Sequence, residues 1–152
     1  MGIGPEYVGR ELTTPFNLPA IARVRGAEFN VRHSLRPLGA WGRHFQVFAN
    51  ATKLELEGSR SANFSAFIRK SANWGVNFSR SSLTLLAKWN YRGQQKHGPT
   101  AAVNGFQFGE ARTTADVNAD YQIKRNLSLY LNAQNVFNVP EVLLRYGPDT
   151  PG

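Results

Sequence analysis

The sequence lacks cysteine, long apolar runs and blocks of like charge. The absence of cysteine excludes disulfide scaffolds, thiolate metal sites and cysteine nucleophiles. No stretch approaches the roughly 18 consecutive apolar residues that a membrane-spanning helix needs. Strands that cross a membrane leave no such run, so a transmembrane β-barrel is not excluded.

Acidic residues are outnumbered by basic ones: 18 Lys and Arg against 10 Asp and Glu give a net charge of +8. This balance keeps open a soluble basic β-sheet protein that binds nucleic acid or another acidic partner. A sheet that binds nucleic acid needs aromatic side chains interleaved with Lys and Arg on one face. Here the alternation places Trp74 and Trp89 on the face opposite Lys88 and Arg92. We therefore expect no nucleic-acid partner.

Apolar and polar residues alternate over most of the chain, which is the period-2 signature of β-strands. Six segments show it: Arg23–Leu35, His44–Leu56, Ile68–Ser79, Ser82–Arg92, Thr113–Ile123 and Leu127–Asn135. A helical period would scatter the apolar residues around the axis. Phe48 and Leu54 are exceptions, because they fall on the polar face of the second segment.

Two of the connections are short enough to define hairpins. A two-residue turn at 80–81 pairs odd with even positions and places Val76 opposite Leu85 and Asn73 opposite Lys88. A three-residue turn at 124–126 pairs odd with odd positions. It places Tyr121 opposite Leu129 and Asp120 opposite Tyr130. The apolar faces coincide across both hairpins, which indicates antiparallel pairing.

The remaining connections are longer, at about 57–67 and 93–112, with an intermediate one at 36–43. Short turns that alternate with long loops, and strands near ten residues, are typical of bacterial outer-membrane barrels. The sequence thus predicts an all-β fold. It is an antiparallel up-and-down meander of about six long strands, as a segment of a large transmembrane β-barrel. The expected division is a loop at 1–19, six strands within 20–138 and an outside loop at 139–152.

Alternation alone does not separate a membrane barrel from a soluble β-sandwich. The polar faces are rich in Asn, Gln, Ser and Thr, and Lys53 and Lys70 fall near the long-loop ends, where a charge costs little in a bilayer. Aromatic residues also concentrate near strand ends, as in the aromatic belts of membrane proteins. They are Trp89 and Tyr91 toward the long loops and Phe45, Phe78 and Tyr121 toward the short turns. Trp74 falls mid-strand and does not fit this pattern.

Residues that would carry catalysis or hold a metal are sparse. His33, His44 and His97 are isolated, so we expect no metal site and no cofactor. Asp116 and Asp120 are four strand residues apart, about 13 Å, beyond the reach of about 9.5 Å for paired glycosidase carboxylates. No phosphate-binding, dinucleotide or serine-hydrolase motif occurs. We expect no enzyme, although a small enzyme on a β-sandwich is a third possibility.

Polar side chains that could contact a ligand lie in one predicted loop and on the polar strand faces. They are Arg92, Gln94, Lys96 and His97 in the loop, and Arg69, Lys88, Asp116 and Asp120 on the strands. The alternative is that these side chains form a solvated ladder that lines a lumen.

Several stretches resemble, in order, the last third of the barrel of TonB-dependent receptors. They are VRGAEFNV (24–31), FANATKLELEG (48–58), RKSANWGVNFSR (69–80), LLAKWNYRGQQ (85–95) and NLSLYLNAQNVFNVPEV (126–142). The first is similar to a strand with a G-x-E element, and the fourth to a strand end with W-N-Y-R-G. The last is similar to a penultimate strand that ends in N-x-F-N, here residues 135–138. Together they cover about residues 20–150.

The resemblance implies a 22-stranded, plugged barrel in the outer membrane of a Gram-negative cell. It implies uptake of a scarce ligand, such as an iron chelate, cobalamin or a glycan, with energy from the TonB complex. The implied partners are outer-membrane lipid and the plug and remaining barrel strands of the same receptor. TonB would act only through an N-terminal coupling segment. We expect the plug, that segment and the closing strand to lie outside this sequence, so that the chain cannot act alone. Ligand contacts differ between members, so no binding residue is carried over.

Overall fold

The structure is a computed structural model that describes residues 21–58, 67–99 and 105–146. The strands of these residues are β1 (Ala22–Ser34), β2 (Phe45–Gly58), β3 (Lys70–Arg80), β4 (Leu83–Arg92), β5 (Gln95–Pro99), β6 (Phe106–Gly109), β7 (Arg112–Lys124), β8 (Leu127–Ala133) and β9 (Leu143–Tyr146). Two short 3₁₀ turns, Arg36–Leu38 and Gly42–His44, lie between β1 and β2. In the described part of the chain, no helix is long and apolar enough to cross a membrane.

The six long strands form one antiparallel sheet in the order β1-β2-β3-β4-β7-β8. This confirms the predicted all-β meander, and each predicted segment agrees with its strand to within two residues. The two ends of this sheet differ. We call the end where β1 starts and β2 ends the long-loop end. The opposite end, formed by residues 35–44 and the turns at 81–82 and 125–126, is the short-turn end.

The hairpin of β3 and β4 corrects the predicted register. Val76 lies opposite Ala87 and Asn73 opposite Asn90, two residues away from the predicted partners. The turn consists of Ser81 and Ser82, and Ser81 adopts the left-handed region with φ 53°. A shift of two residues keeps every side chain on its face, so the alternation could not distinguish the two registers.

The hairpin of β7 and β8 has the predicted pairs, Tyr121 with Leu129 and Asp120 with Tyr130. The turn itself is shorter than predicted, because Lys124 pairs with Leu127. The register shifts between Gln122 and Lys124. A β-bulge inserts one extra residue into one strand, and here it turns the odd–even pairing of a two-residue turn into the odd–odd pairing that the alternation requires.

A second, small sheet of three strands has the order β5-β6-β9. Its strands lie within the predicted connections 93–112 and 139–152, which therefore contain short strands that the sequence did not predict. The strands are only four or five residues long, which is too short for an alternation to be recognised. The predicted loop at 1–19 and the residues after Tyr146 lie outside the described part of the chain.

The apolar residues of the six long strands align in rows across the sheet. One row consists of Val31, Ala49, Trp74, Trp89 and Ala115. The next consists of Val47, Val76, Ala87, Val117 and Ala133, with the polar His33 at its β1 end. Trp74 is the direct partner of Trp89. The two indoles therefore lie at the same height on the apolar face.

No layer of described residues covers this apolar face. Among the described residues, Ala115 is the one buried apolar side chain, whereas Leu129 and Leu131 are about 60% exposed. Leu83, Leu85 and Trp89 lie on the same face, as the sequence predicts. An apolar surface of this extent marks contact with a membrane or another macromolecule.

The hairpin of β1 and β2 extends farther than the others at the long-loop end, and its two faces exchange character there. Arg25 and Glu57, whose side chains form an ion pair of 3.3 Å, occupy the face that is apolar elsewhere. Leu54 and Leu56 occupy the other face. The exchange of the two faces explains why Leu54 breaks the alternation. The apolar face of the sheet therefore ends, on this hairpin, near the pair Ala27–Lys53.

Candidate ligand-facing surface

The polar face is the hollow side of the curved sheet. In its short-turn half, polar-face residues surround an open concavity of about 490 Å³. The lining includes Arg32, Phe48, Asn118, Asp120, Tyr130 and Asn132. The polar side chains therefore face one another across a concave surface, whereas the apolar side chains cover the convex one.

A row of four asparagines crosses the polar face. Asn30, Asn50, Asn73 and Asn90 are register partners on β1 to β4. Nδ2 of Asn50 donates to Oδ1 of Asn73 at 2.7 Å. Each amide carries both donors and an acceptor, so the row offers hydrogen bonds of both kinds without net charge.

Phe48 is one of the large apolar residues on the polar face, and Gly75 explains its placement. The two residues are partners on β2 and β3. A Cβ built on Gly75 would lie 2.8 Å from Cζ of Phe48 and 2.5 Å from the carbonyl oxygen of Ala87. The ring thus lies across the strand in space that only a glycine leaves free.

Asp116 is the centre of a polar cluster toward the long-loop end. Nζ of Lys88 lies 3.5 Å from its Oδ2, and Nδ2 of Asn90 donates to the same oxygen at 2.9 Å. The backbone N–H of Asn135 donates to Oδ1, also at 2.9 Å. One carboxylate therefore joins β4 and β7 to the chain that leaves β8.

Asn135 folds the chain after β8 into a tight turn. Its φ is 48°, a conformation that asparagine adopts more readily than most residues. Its side chain donates to the carbonyl oxygen of Val139 at 3.0 Å and accepts from the backbone N–H of Val139 at 2.9 Å. The N–H of Val136 reaches the carbonyl oxygen of Ala115 on β7 at 2.8 Å. The N-x-F-N element is thus a turn that is hydrogen-bonded to β7 at Ala115 and Asp116.

Glu141 bridges two arginines at the long-loop end. Arg92 and Arg112 are direct partners on β4 and β7, and like charges in that position repel. The Glu141 carboxylate lies 2.5 Å from Nη2 of Arg92 and 3.6 Å from Nη2 of Arg112. The hydrogen bond from Arg92 and the charge of Arg112 lower the pKa of Glu141 below its ordinary value. The carboxylate is therefore ionised at neutral pH and neutralises one of the two arginines.

The residues predicted as ligand contacts do not form one site. Lys88 and Asp116 come together, and Arg92 joins Glu141. Asp120 lies two rows away from Asp116, between Thr84 and Tyr130. Arg69 precedes β3, Gln94 lies between β4 and β5, and Lys96 and His97 belong to β5. The three histidines stay apart, and the described residues contain no group that could hold a metal.

Sequence reasoning missed Asn135 and Glu141 as organising residues. Asn135 was visible as the first residue of the N-x-F-N element, although its hydrogen bond to Asp116 was not. Glu141 is the only acidic residue between Asp120 and Asp149, and three of its neighbours in sequence are apolar. The pairing of Arg92 with Arg112, which gives Glu141 its role, depends on the register of β4 and β7.

A comparison with protein families finds one match for this chain. The family described as TonB dependent receptor-like, beta-barrel matches residues 2–136, a range that includes all six strands of the main sheet. Comparisons with curated proteins and with solved structures find no match.

Proposed function

Because the chain belongs to the TonB-dependent receptor β-barrel family, an outer-membrane receptor and transporter family, we propose that it forms part of the wall of a barrel that takes up a scarce ligand. The ligand classes are an iron chelate, cobalamin or a glycan. The membrane is the outer membrane of a Gram-negative cell, and the energy comes from the TonB complex through an N-terminal coupling segment. The plug and the remaining strands of the receptor are the partners of this sheet.

The uncovered convex face carries this proposal. In a membrane barrel, apolar side chains meet lipid and polar side chains line a wet lumen. The face from Leu83 to Tyr91 on β4 extends about 27 Å along the strand at about 3.4 Å per residue. A tilted strand of this length is suited to span the hydrocarbon core. A soluble sandwich would instead bury this face under a second layer.

The concave face supports a role in ligand passage. The asparagine row offers neutral donors and acceptors, and the nearby charges of Lys88 and Asp116 neutralise one another. A polar ligand can exchange hydrogen bonds along such a surface without being held by one strong charge. The paired arginines with Glu141 lie at the end of the sheet from which the long loops extend, where a ligand would enter.

Two neighbouring residues of β8 test the membrane assignment. Leu131 lies on the apolar face and is 62% exposed, whereas Tyr130 lies on the polar face and is 84% exposed. In a bilayer, Leu131→Arg should destabilise the barrel by about 2–4 kcal/mol, because the charge enters the hydrocarbon core. Tyr130→Arg should cost little, because its side chain remains in water.

The measurement is the free energy of unfolding of the full chain folded into phospholipid vesicles. In a soluble sheet whose apolar face stays open to water, the two substitutions would cost equally little. Equal effects of the two substitutions would therefore reject the barrel and favour the soluble basic β-sheet.

A further inference from the structure

The charges of the main sheet are distributed unevenly between its two ends. The ion pairs of the described residues all lie in the long-loop half. They join Arg25 to Glu57, Lys53 to Glu55, Lys88 to Asp116, and both Arg92 and Arg112 to Glu141. The short-turn end carries five cations, which we call the basic rim: Arg36, Arg43, Arg80, Lys124 and Arg125. None of these forms an ion pair with a described residue.

Asp120, the register partner of Thr84, lies on the polar face at the border of this end, and among the described residues it forms no ion pair with the basic rim. The stretches that form this end, 35–45, 79–84 and 121–128, contain neither Asp nor Glu. The rim therefore has a charge of +5, which is more than half of the net +8 of the whole chain. All five cations are exposed. A concentration of unpaired, exposed charge of one sign attracts an anionic partner.

The connection that carries two of these cations has a defined structure. The N–H of Leu35 donates to the carbonyl oxygen of Phe45 at 3.0 Å. Nδ1 of His44 donates to the carbonyl oxygen of Ser79, also at 3.0 Å. The guanidinium carbon of Arg80 lies 5.4 Å from the centre of the Trp41 ring, within the range of a cation–π contact. The connection is thus held against the β3–β4 hairpin.

This connection exposes two large apolar side chains beside the cations. Leu38 is 75% exposed and Trp41 is 68% exposed. They lie at the same end of the sheet as Phe45 and Phe78, whose ring centres are 4.9 Å apart on the apolar face. Tryptophan together with Lys and Arg is typical of the boundary between lipid chains and headgroups.

We propose that the basic rim binds the phosphate groups of anionic phospholipids, while Trp41 and Leu38 lie at the level of the headgroups. The inference rests on the proposed function, in which the apolar face meets lipid. Short turns lie on the periplasmic side of bacterial barrels, so the lipids are those of the periplasmic leaflet. The attraction of each Lys or Arg to an anionic surface adds to that of the others within a Debye length.

Nucleic acid is also anionic, but the rim is less suited to it. The cations border an exposed apolar surface, which nucleic acid would leave in water. Arg80 also lies over the Trp41 ring, where a base would otherwise stack. A phospholipid suits both features, because its phosphate contacts the cations of the basic rim and its acyl chains contact the neighbouring apolar side chains.

Quenching of Trp41 fluorescence by brominated lipids tests the proposal. The chain has three tryptophans, so the double substitution Trp74→Phe and Trp89→Phe leaves Trp41 as the only fluorophore. This full-length variant is folded into vesicles that contain phosphatidylcholine and phosphatidylglycerol, with bromine on either one. We expect stronger quenching by brominated phosphatidylglycerol than by brominated phosphatidylcholine at equal mole fraction, and loss of the difference at high salt.

A matched pair of triple variants locates the effect. Arg36→Gln, Arg43→Gln and Arg125→Gln remove three cations of the rim and leave Arg80 beside Trp41. Each cation near an anionic surface strengthens binding about fivefold, so the preference for phosphatidylglycerol should fall by about tenfold or more. The control is Arg23→Gln, Arg25→Gln and Lys70→Gln, which removes three cations from the long-loop end and should leave the preference unchanged.

A third variant separates this proposal from the proposed function. In Trp41→Phe with Trp74→Phe, only Trp89 on the apolar face remains, and both brominated lipids should quench it equally. If neither lipid quenches Trp89, the membrane assignment fails, and the lipid-binding rim fails with it. If Trp89 is quenched but Trp41 shows no lipid preference, only the rim is overturned. Binding of duplex DNA that the rim variant abolishes, without a lipid preference, would overturn it in favour of a nucleic-acid surface.

Discussion

Gly75 lies within β3, with the ring of Phe48 across it and the carbonyl oxygen of Ala87 beside it. Phe48 and Gly75 occupy partner positions, so the bulk of one residue fills the space that the other leaves. From sequence, Phe48 is only a break in the alternation and Gly75 only a weak strand residue. Their relation depends on the register of β2 with β3, which neither residue reveals alone.

Substitution of Gly75 by alanine tests this relation. We expect Gly75→Ala to destabilise the folded chain by about 1–3 kcal/mol, because a new Cβ would overlap the ring and the strand must shift. Ser71→Ala, on the same strand and face, should change the stability by less than about 0.5 kcal/mol. Denaturant unfolding of the full chain in lipid vesicles measures both.

The double variant Phe48→Ala with Gly75→Ala tells which contact causes the loss. Removal of the ring relieves one overlap, but the carbonyl oxygen of Ala87 belongs to the backbone and stays 2.5 Å from the Cβ position. We therefore expect that adding Phe48→Ala to Gly75→Ala recovers only part of the stability that Gly75→Ala loses. A Gly75→Ala chain as stable as the original would show that the strand adjusts without cost.

At the scale of elements, the alternation predicted the six long strands but not every register. It identified both faces because burial or lipid contact follows a period of two. It could not choose between registers that differ by two residues, so the predicted register of β3 with β4 was wrong by two residues. It also could not find the β5-β6-β9 sheet, where Phe106 pairs with Tyr146 across a long separation in sequence. Glu141 was missed for a similar reason, because its two arginine partners come together only through the pairing of β4 with β7.

The segment from Asn135 to Val142 should respond to acid through Glu141. Its pKa is lowered in the folded chain, so the carboxylate stabilises the segment at pH values above the ordinary Glu pKa of about 4.3. This contribution is lost as the pH falls through the lowered folded-state value. Glu141→Gln should therefore accelerate hydrogen exchange at the N–H of Glu110, which donates to Val142, at neutral pH.

The difference between the variant and the original chain should vanish in strong acid, where Glu141 is protonated in both states. Rates are compared after correction for the intrinsic pH dependence of exchange. Glu57→Gln removes the ion pair with Arg25 at the far edge of the sheet and should leave the exchange of Glu110 unchanged. Equal exchange in the Glu141→Gln and original chains at neutral pH would contradict the bridging role.

At the scale of the whole molecule, the main sheet has two free edges among the described residues. β1 pairs only with β2, and β8 pairs only with β7. In the hydrocarbon core, each unpaired backbone N–H or C=O costs several kcal/mol, and closure of the sheet removes the cost. Membrane barrels have at least eight strands, which is more than the six of the main sheet. We propose that the remaining receptor strands pair with these edges.

The expected consequence is that these 152 residues, expressed alone, do not stay monomeric. In water the uncovered apolar face and the open edges should drive aggregation. In vesicles the β1 and β8 edges should pair with the edges of other copies of the chain. Cysteine pairs introduced at Glu28 on β1 and Asn132 on β8, both toward the long-loop end of the sheet, in a chain that has no cysteine of its own, would report such pairing as disulfide-linked oligomers. Cysteines at Ser71 and Thr84, on strands whose edges are already paired, should give none. A soluble monomer of the full chain that unfolds in one cooperative transition would contradict both the open edges and the lipid-facing assignment of the convex face.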